Sequence, residues 1–314
     1  MKIPNTTLAR AKKNKKDEFY TLYEDIEEEL SHYTDQLKGK RVYLNADNPE
    51  KSEFFRYFKE KFNDLDLQSL TATYYEPEEN EPSYKWTITK QDNKITKTKL
   101  ASNGDFRSRE CLEILKDSDI VITNPPFSLF REHIAQLVEH NKDFILWSTL
   151  SAMTCKEIFP LFKDGKIRAG YLFNKEKKFK IPDDYEQYDK RYTEKRNDGF
   201  KYAGVPAICV FTTLAIDKQS RQLDFTNNHY TEEQYPKYDN YNAVECSEVK
   251  RIPEDYEGII GVPVTYLGYH DPEKFNIIGL ARYTVPKEAL KGGRLTINGK
   301  QQYARVLIQK KKTN

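Results

Sequence analysis

Asp119-Ile120-Val121-Ile122-Thr123-Asn124-Pro125-Pro126-Phe127 is the stretch on which the reading of the fold turns. A short, β-branched apolar run bounded by Asn-Pro-Pro reads as a buried strand that stops at the edge of a sheet. Two consecutive prolines remove two backbone donors and fix two φ angles, so Asn124 and Phe127 are presented by a stiff loop. In open α/β sheets ligands bind outside the carboxyl ends of the strands, which is where this loop falls. A plain strand-terminating turn would produce the same pattern.

Asn124-Pro125-Pro126-Phe127 resembles the [DNS]-Pro-Pro-[Tyr/Phe] motif of amino-group methyltransferases that use S-adenosylmethionine. An exocyclic nucleobase amine is a poor nucleophile because its lone pair is delocalised into the ring. An Asn side-chain oxygen and a proline carbonyl that each accept one N–H favour a pyramidal nitrogen and aim its lone pair at a methyl donor. Phe127 then offers a flat apolar face to a base taken out of its stack.

Composition bounds the rest. The 314 residues suffice for a substantial core and a second, smaller unit. Only 38% are apolar and 32% are charged, but 22 Tyr and 17 Phe supply large buriable side chains, as expected of a soluble globular chain. The net charge of +2 hides basic ends: residues 1–16 hold six Lys/Arg and no acid, and residues 282–314 hold nine with one acid. That asymmetry points to nucleic acid. Cys111, Cys155, Cys209 and Cys246 show no C-x-x-C spacing, which argues against a zinc site or a disulfide framework and for a reducing compartment, the cytoplasm. No apolar run approaches membrane-spanning length, and no signal-peptide core is present.

From the start of the chain, residues 1–16 read as a basic arm, a solvated tail or a phosphate contact. Ile26, Leu30, Tyr33 and Leu37 follow at helical spacing. The Phe19-Tyr20-Thr21 ahead of them resembles the motif by which many adenine methyltransferases hold the methionine end of the cofactor through a hydroxyl; a hydrophobic staple would use the same aromatics. Arg41–Ala46 reads as the first sheet strand, and Asp47-Asn48-Pro49 opens a helix to Phe62 with Phe54, Phe55, Phe58 and Phe62 on one side. Strand, turn, helix is the topology of a nucleotide pocket. Such turns are usually Gly-rich so that backbone can approach the ligand, and this one has no Gly. Either the site is degenerate, or Asn45, Asp47 and Asn48 make the polar contacts that backbone usually makes.

Asp-Glu-Phe-Tyr-Thr at 17–21, Tyr-Leu-Asn-Ala-Asp-Asn-Pro at 43–49 and Asn-Pro-Pro-Phe at 124–127, in this order, resemble the EcoRI-type family of adenine-specific DNA methyltransferases. Gly261–Leu267 and Asn298-Gly299-Lys300 with Tyr303–Ile308 extend the likeness nearly end to end. The resemblance implies an α/β, Rossmann-like methyltransferase sheet with helices on both faces plus a smaller C-terminal recognition region. It implies S-adenosylmethionine held by Phe19, Tyr20, Thr21, Asn45, Ala46, Asp47, Asn48, Pro49, Asp105, Phe106 and Asn124. Catalysis would fall to Asn124, Pro125, Pro126 and Phe127, without a metal. In Gly104-Asp105-Phe106 the carboxylate would accept from the cofactor's adenine amine while Phe106 packs on the ring; an Asp before Arg107–Lys116 is equally a helix N-cap. Tyr74 and Glu76, at the end of a strand over 68–75, are weaker candidates for the ribose.

Tyr84, Trp86, Ile88 and Ile95 around Asp92-Asn93 suggest a β-hairpin insertion. Helix and strand alternate after the central loop, with Lys156–Phe162 and Arg168–Phe173 as late members, arguing for a mostly parallel sheet covered on both faces. His133 and His140, with no ligand spacing, read as surface histidines. Residues 174–204 mix Lys and Arg with Phe179, Tyr185, Tyr188, Tyr192, Phe200 and Tyr202, and read as a long loop suited to contacting DNA, or as an ordinary insertion. The expected division is thus a basic arm over 1–16, a catalytic domain over 17–215, and a target-recognition region over 216–314 that ends in a basic tail at 309–314. Asn-Pro-Pro-aromatic also serves enzymes that methylate RNA bases or protein glutamine, and a binding module on a methyltransferase scaffold would keep the fold without the chemistry. The expected partners are duplex DNA and a cognate restriction endonuclease; neither recognition sequence nor oligomeric state is encoded in any motif.

Overall fold

The computed structural model describes residues 20–76, 81–173, 177–181, 193–195, 199, 201–205, 208–217, 227–290 and 292–312. The arm expected over 1–16, Phe19, the side chain of Tyr20 and much of 182–200 lie outside the described residues. The rest falls into two compact units, within Met1–Ala152 and Ala169–Leu214, and within Met153–Arg168 and Ala215–Asn314.

The chain runs β1 (Tyr20–Thr21), α1 (Tyr23–Leu30), β2 (Arg41–Leu44), α2 (Glu53–Glu60), β3 (Ser69–Ala72), β4 (Tyr84–Thr89), β5 (Thr96–Lys99), α3 (Arg109–Asp117), β6 (Ile120–Thr123), α4 (Phe130–Glu139), β7 (Asp143–Thr149), β8 (Arg168–Ala169), β9 (Lys177–Ile181), β10 (Thr193–Lys195), β11 (Lys201–Val205) and β12 (Ile208–Thr212). An eight-stranded sheet takes the order β5-β4-β3-β2-β6-β7-β12-β8. Its centre, β3-β2-β6-β7, is parallel, as expected of a Rossmann-like α/β fold, while β4 and β12 pair antiparallel on either side. All four residues of β6 are buried, which is why its sequence is uninterrupted apolar or β-branched rather than alternating. From β2 the chain passes to β3 on one side, whereas β6 lies on the other. The carboxyl ends of β2 and β6 therefore flank a switch point in strand order, the place where such sheets bind ligands.

The flanking helices follow their apolar spacing. Ile26 and Leu30 of α1, with Tyr33 and Leu37 beyond it, are fully buried, and α2 buries Phe54, Phe55 and Phe58. Withdrawing each such ring from water is worth about 1.5–3 kcal/mol. The hairpin expected around Asp92-Asn93 is β4–β5, with Asn93 at positive φ, and it extends the main sheet at the β3 edge.

Two stretches depart from the sequence reading. The segment read as a loop over 174–204 carries β9, β11 and β10, which join β1 in a second, four-stranded antiparallel sheet in the order β1-β9-β11-β10. Strands this rich in Lys lack the apolar alternation by which a half-buried strand is recognised. The stretch Met153–Arg168, read as part of the alternating catalytic sheet, groups instead with the second unit. There Lys163 donates to the Ile278 carbonyl at 3.0 Å, and the Tyr283 hydroxyl to that of Thr154 at 3.2 Å.

The second unit is built on β13 (Val244–Glu245), β14 (Ile259–Pro263), β15 (Phe275–Leu280) and β18 (Arg305–Lys310) in the order β13-β14-β18-β15, with a ribbon of β16 (Thr296–Ile297) and β17 (Lys300–Gln301). The ribbon turns at Asn298-Gly299, both at positive φ as an Asn-Gly hairpin requires, and the Asp239 carboxylate accepts from both backbone amides. Arg294 and Lys300 are exposed, but Arg305 is not a surface cation. Its side chain is only 8% exposed and forks onto Glu245, at 7%, which also accepts from the Tyr238 hydroxyl. Removing one member of a buried pair strands the other charge, so Arg305→Ala should destabilise this unit by about 3–5 kcal/mol in denaturant unfolding. The paired change Arg305→Met with Glu245→Leu should recover most of that loss.

Candidate active site

Five chain segments line a cavity of about 470 Å³ within the first unit, at the carboxyl end of the parallel strands. Its size suits a cofactor-sized ligand. The turn after β2 contributes Asn45, Ala46, Asp47 and Asn48. Without glycine it is shaped by side chains: Asn48 Oδ1 accepts from the Glu50 amide at 3.0 Å, and the Asn48 carbonyl from the amides of Lys51 and Ser52. Ser52 then caps α2 through the Phe55 amide.

Asp47 ties this turn to the central loop. Ser52 Oγ donates to its Oδ1 at 2.7 Å and Thr123 Oγ1 to its Oδ2 at 2.5 Å, so the residue immediately before Asn124 is anchored to the turn after β2. Burial pushes the Asp47 carboxyl up to about 6, against the pull of the Thr123 and Ser52 hydroxyls. Its folded-state value therefore exceeds the unfolded one, so its stabilising contribution is complete below about 3.8 and is lost as pH rises through about 6. Asp47→Asn should thus gain up to ~3 kcal/mol over the parent at pH 7.5 and nothing at pH 4, read as urea midpoints at the two values.

Across the cavity, β3 leads into Tyr74, Tyr75 and Glu76, with Tyr75 53% exposed. Gly104, at φ +76°, packs so closely beneath the Tyr74 carbonyl and the Ser83 hydroxyl that a Cβ there would collide with both. It is followed by Asp105 and Phe106, both in the cavity wall. Asp105 is already engaged: Arg107 forks onto its two oxygens at 2.9 and 2.7 Å and adds its backbone amide, which holds the carboxyl below the usual carboxylate range. A ligand amine at Asp105 would share the carboxylate with this guanidinium. Asp105 is not the helix cap, since Ser108 is the N-cap of α3.

The central loop supplies Asn124 and Pro126, followed by Leu129. Asn124 Nδ2 donates to Thr21 Oγ1 at 3.2 Å, and Thr21, held in β1, lines the cavity too. The Thr21 hydroxyl expected at the cofactor's methionine end is thus also a partner of Asn124. Pro49, Pro125 and Phe127 fall outside the cavity lining, and both prolines are buried.

Sequence reasoning missed His133. It is fully buried rather than on the surface, because it shares the inward stripe of α4 with Phe130, Ile134 and Leu137. That spacing was the available signal. Its Nε2 lies 2.8 Å from Asn45 Oδ1, and its ring meets Phe106 edge-on at 5.0 Å between centroids. Lys51 and Arg107, also unremarked from the sequence, bring two cations to the rim. Among the described residues no cluster of metal-binding side chains occurs, and no helix is long and apolar enough to cross a membrane.

Comparison with known proteins gives one consistent answer. The family described as "Adenine-specific methyltransferase EcoRI" matches residues 7–311. The type II methyltransferase M.EcoRI of Escherichia coli is 38% identical over 326 residues, covering 98% of this chain and 97% of that protein. The type II methyltransferase M.MpnI of Mycoplasma pneumoniae is 37% identical over 315 residues, covering 96% and 97% respectively. No solved structure matches the chain.

Proposed function

The chain belongs to the EcoRI family of adenine-specific methyltransferases, and from that premise we propose that it transfers a methyl group from S-adenosylmethionine to the N6 amine of an adenine flipped out of duplex DNA. The observation that carries this reading is the cavity in which Asn124 of the Asn-Pro-Pro-Phe loop meets Thr21, the Asn45–Asn48 turn and the Asp105-Phe106 pair. These residues fit the cofactor's chemistry. Asn45, Asn48 and Lys51 offer donors to carboxylate and ribose oxygens, Glu76 and Asp105 offer acceptors, and Phe106 and Leu129 offer apolar wall for an adenine ring. When bound, the cofactor supplies an activated methyl group on a good leaving group.

The chain's own part is orientation. Asn124 Oδ1 and the Pro125 carbonyl each accept one N–H of the target amine, which frees its lone pair from the ring, and Phe127 stacks on the flipped base. The Phe19-Tyr20-Thr21 motif is assigned to the methionine end on the family resemblance, with Thr21 as its described side chain in the cavity. The second unit, with its exposed Arg294 and Lys300, and the basic N-terminal arm track phosphates and read the target sequence, and the chain serves in the cytoplasm alongside a cognate restriction endonuclease.

Cofactor binding is tested by melting. S-adenosylmethionine at 100 times its Kd should add about 2.7 kcal/mol of stability by linkage, and Asp105→Ala should weaken the affinity by more than tenfold. A melting curve unmoved at millimolar cofactor would overturn the cofactor assignment.

A further inference from the structure

We propose that His133 is a positioning residue for cofactor recognition: its Nε2–H fixes the Asn45 amide so that the amide's NH2 group, not its oxygen, faces the cavity and takes an acceptor oxygen of the bound cofactor. The inference rests on the cofactor reading above and adds which atom of the glycine-free turn does the recognising.

The amide orientation follows from counting protons. A neutral imidazole has one N–H, and burial pushes His133 down to about 3, so the ring is neutral at any working pH. Nε2 sits 2.8 Å from Asn45 Oδ1, while Nδ1 is buried and has no hydrogen-bond partner among the described residues. With the proton on Nε2, the one N–H is satisfied and only an acceptor goes unused. Turning the amide over would move the proton to Nδ1 and orphan a buried donor, at a cost of about 1–3 kcal/mol. Tautomer and amide orientation therefore fix each other. Because an amide's two ends point apart, His133 at the oxygen end directs the NH2 end away from itself, and Asn45 lines the cavity.

The surroundings keep the imidazole from adjusting. Phe106 closes one side edge-on, and Gln136, one turn further along α4, donates to the Phe106 carbonyl at 3.2 Å. One helix thus braces both the Asn45 and the Phe106 walls of the cavity. In glycine-rich turns, close backbone approach to the ligand does this work. Here a side-chain NH2, held from behind by a buried histidine, stands in for it.

The test is calorimetric titration of the full chain with S-adenosylmethionine. His133→Phe keeps the ring's bulk and its contact with Phe106 but removes the donor; its Kd should rise about tenfold, more than any fall in kcat at saturating cofactor. His133→Gln returns an N–H near the Nε2 position and should bring Kd back to within about threefold. Asn45→Asp puts a carboxylate oxygen where the NH2 was and should bind more weakly than Asn45→Ala, an order that does not depend on the His133 variants folding. Repeating the titrations with 5′-methylthioadenosine, which lacks the amino-acid carboxylate, separates the two acceptors: the His133→Phe penalty disappears if the carboxylate is the partner and persists if it is the ribose. Wild-type affinity in His133→Phe, or an Asn45→Asp variant that binds as tightly as the parent, would overturn the inference while leaving the cofactor reading intact. No binding by the unaltered protein would overturn both.

Discussion

Asn124→Ala is expected to cut single-turnover methyl transfer by ~100-fold or more while DNA and cofactor affinities stay close to those of the parent. The size follows from what the residue is asked to do. An amide oxygen that accepts from the target amine matters most when the nitrogen becomes pyramidal, so its loss falls on the transition state, as with removal of one oriented oxyanion-type partner. A hundredfold corresponds to about 2.7 kcal/mol of barrier. The structure adds a second expectation. Thr21 Oγ1 takes the Nδ2 end of Asn124 at 3.2 Å, and Asp47 anchors Thr123 next door. Thr21→Val should therefore lower turnover in the same direction but less, since it loosens the amide without removing it. Near-parental turnover in Asn124→Ala would make the loop a structural turn.

The affinity for duplex DNA is expected to fall ~10³-fold or more between 50 and 200 mM salt, if six or more phosphates are neutralised. The source of that charge needs correcting against the simple count of the C-terminal stretch. Arg305 is buried against Glu245 and is not available to a phosphate, and Lys310 already donates to the Glu254 carbonyl. Gln309 and Lys310 do not belong to a tail either, because they complete β18 opposite Asn276 and Phe275. Deleting from residue 309 would damage the second unit's sheet rather than test electrostatics. The exposed Arg294 and Lys300 are the better targets. Reversing both to Glu should lower the log–log salt slope by about two, measured by fluorescence anisotropy with labelled duplex, with cofactor affinity as the control.

What the sequence made legible was whatever repeats a simple physical pattern. Ile120–Thr123 could only be a buried strand, the phenylalanines of α2 could only face a core, and Asn-Pro-Pro had to leave the sheet at its carboxyl end. The cavity joins Asn124 to Asn45, Asp47, Asn48, Asp105 and Phe106, residues spread over 80 positions of sequence, because parallel strands deliver all of their carboxyl ends to one edge. What escaped were features set by tertiary partners. Nothing local marks Arg305 as internal until Glu245 is seen beside it, and a histidine on a helix reads as polar until Asn45 supplies its acceptor. The strands of 177–205 were hidden by their lysines, and the apolar spacing of Met153–Arg168 says that it packs without saying against which unit.

Adenine-N6 methylation of DNA is read out by following the methyl group. Purified protein is incubated with duplex DNA and S-adenosylmethionine labelled in the methyl group, and the DNA is digested to nucleosides and separated by chromatography. Label is expected in N6-methyldeoxyadenosine, abolished by Asn124→Ala. Label in a methylated cytosine, transfer to RNA or protein in place of DNA, or no transfer to any duplex of random sequence would contradict it.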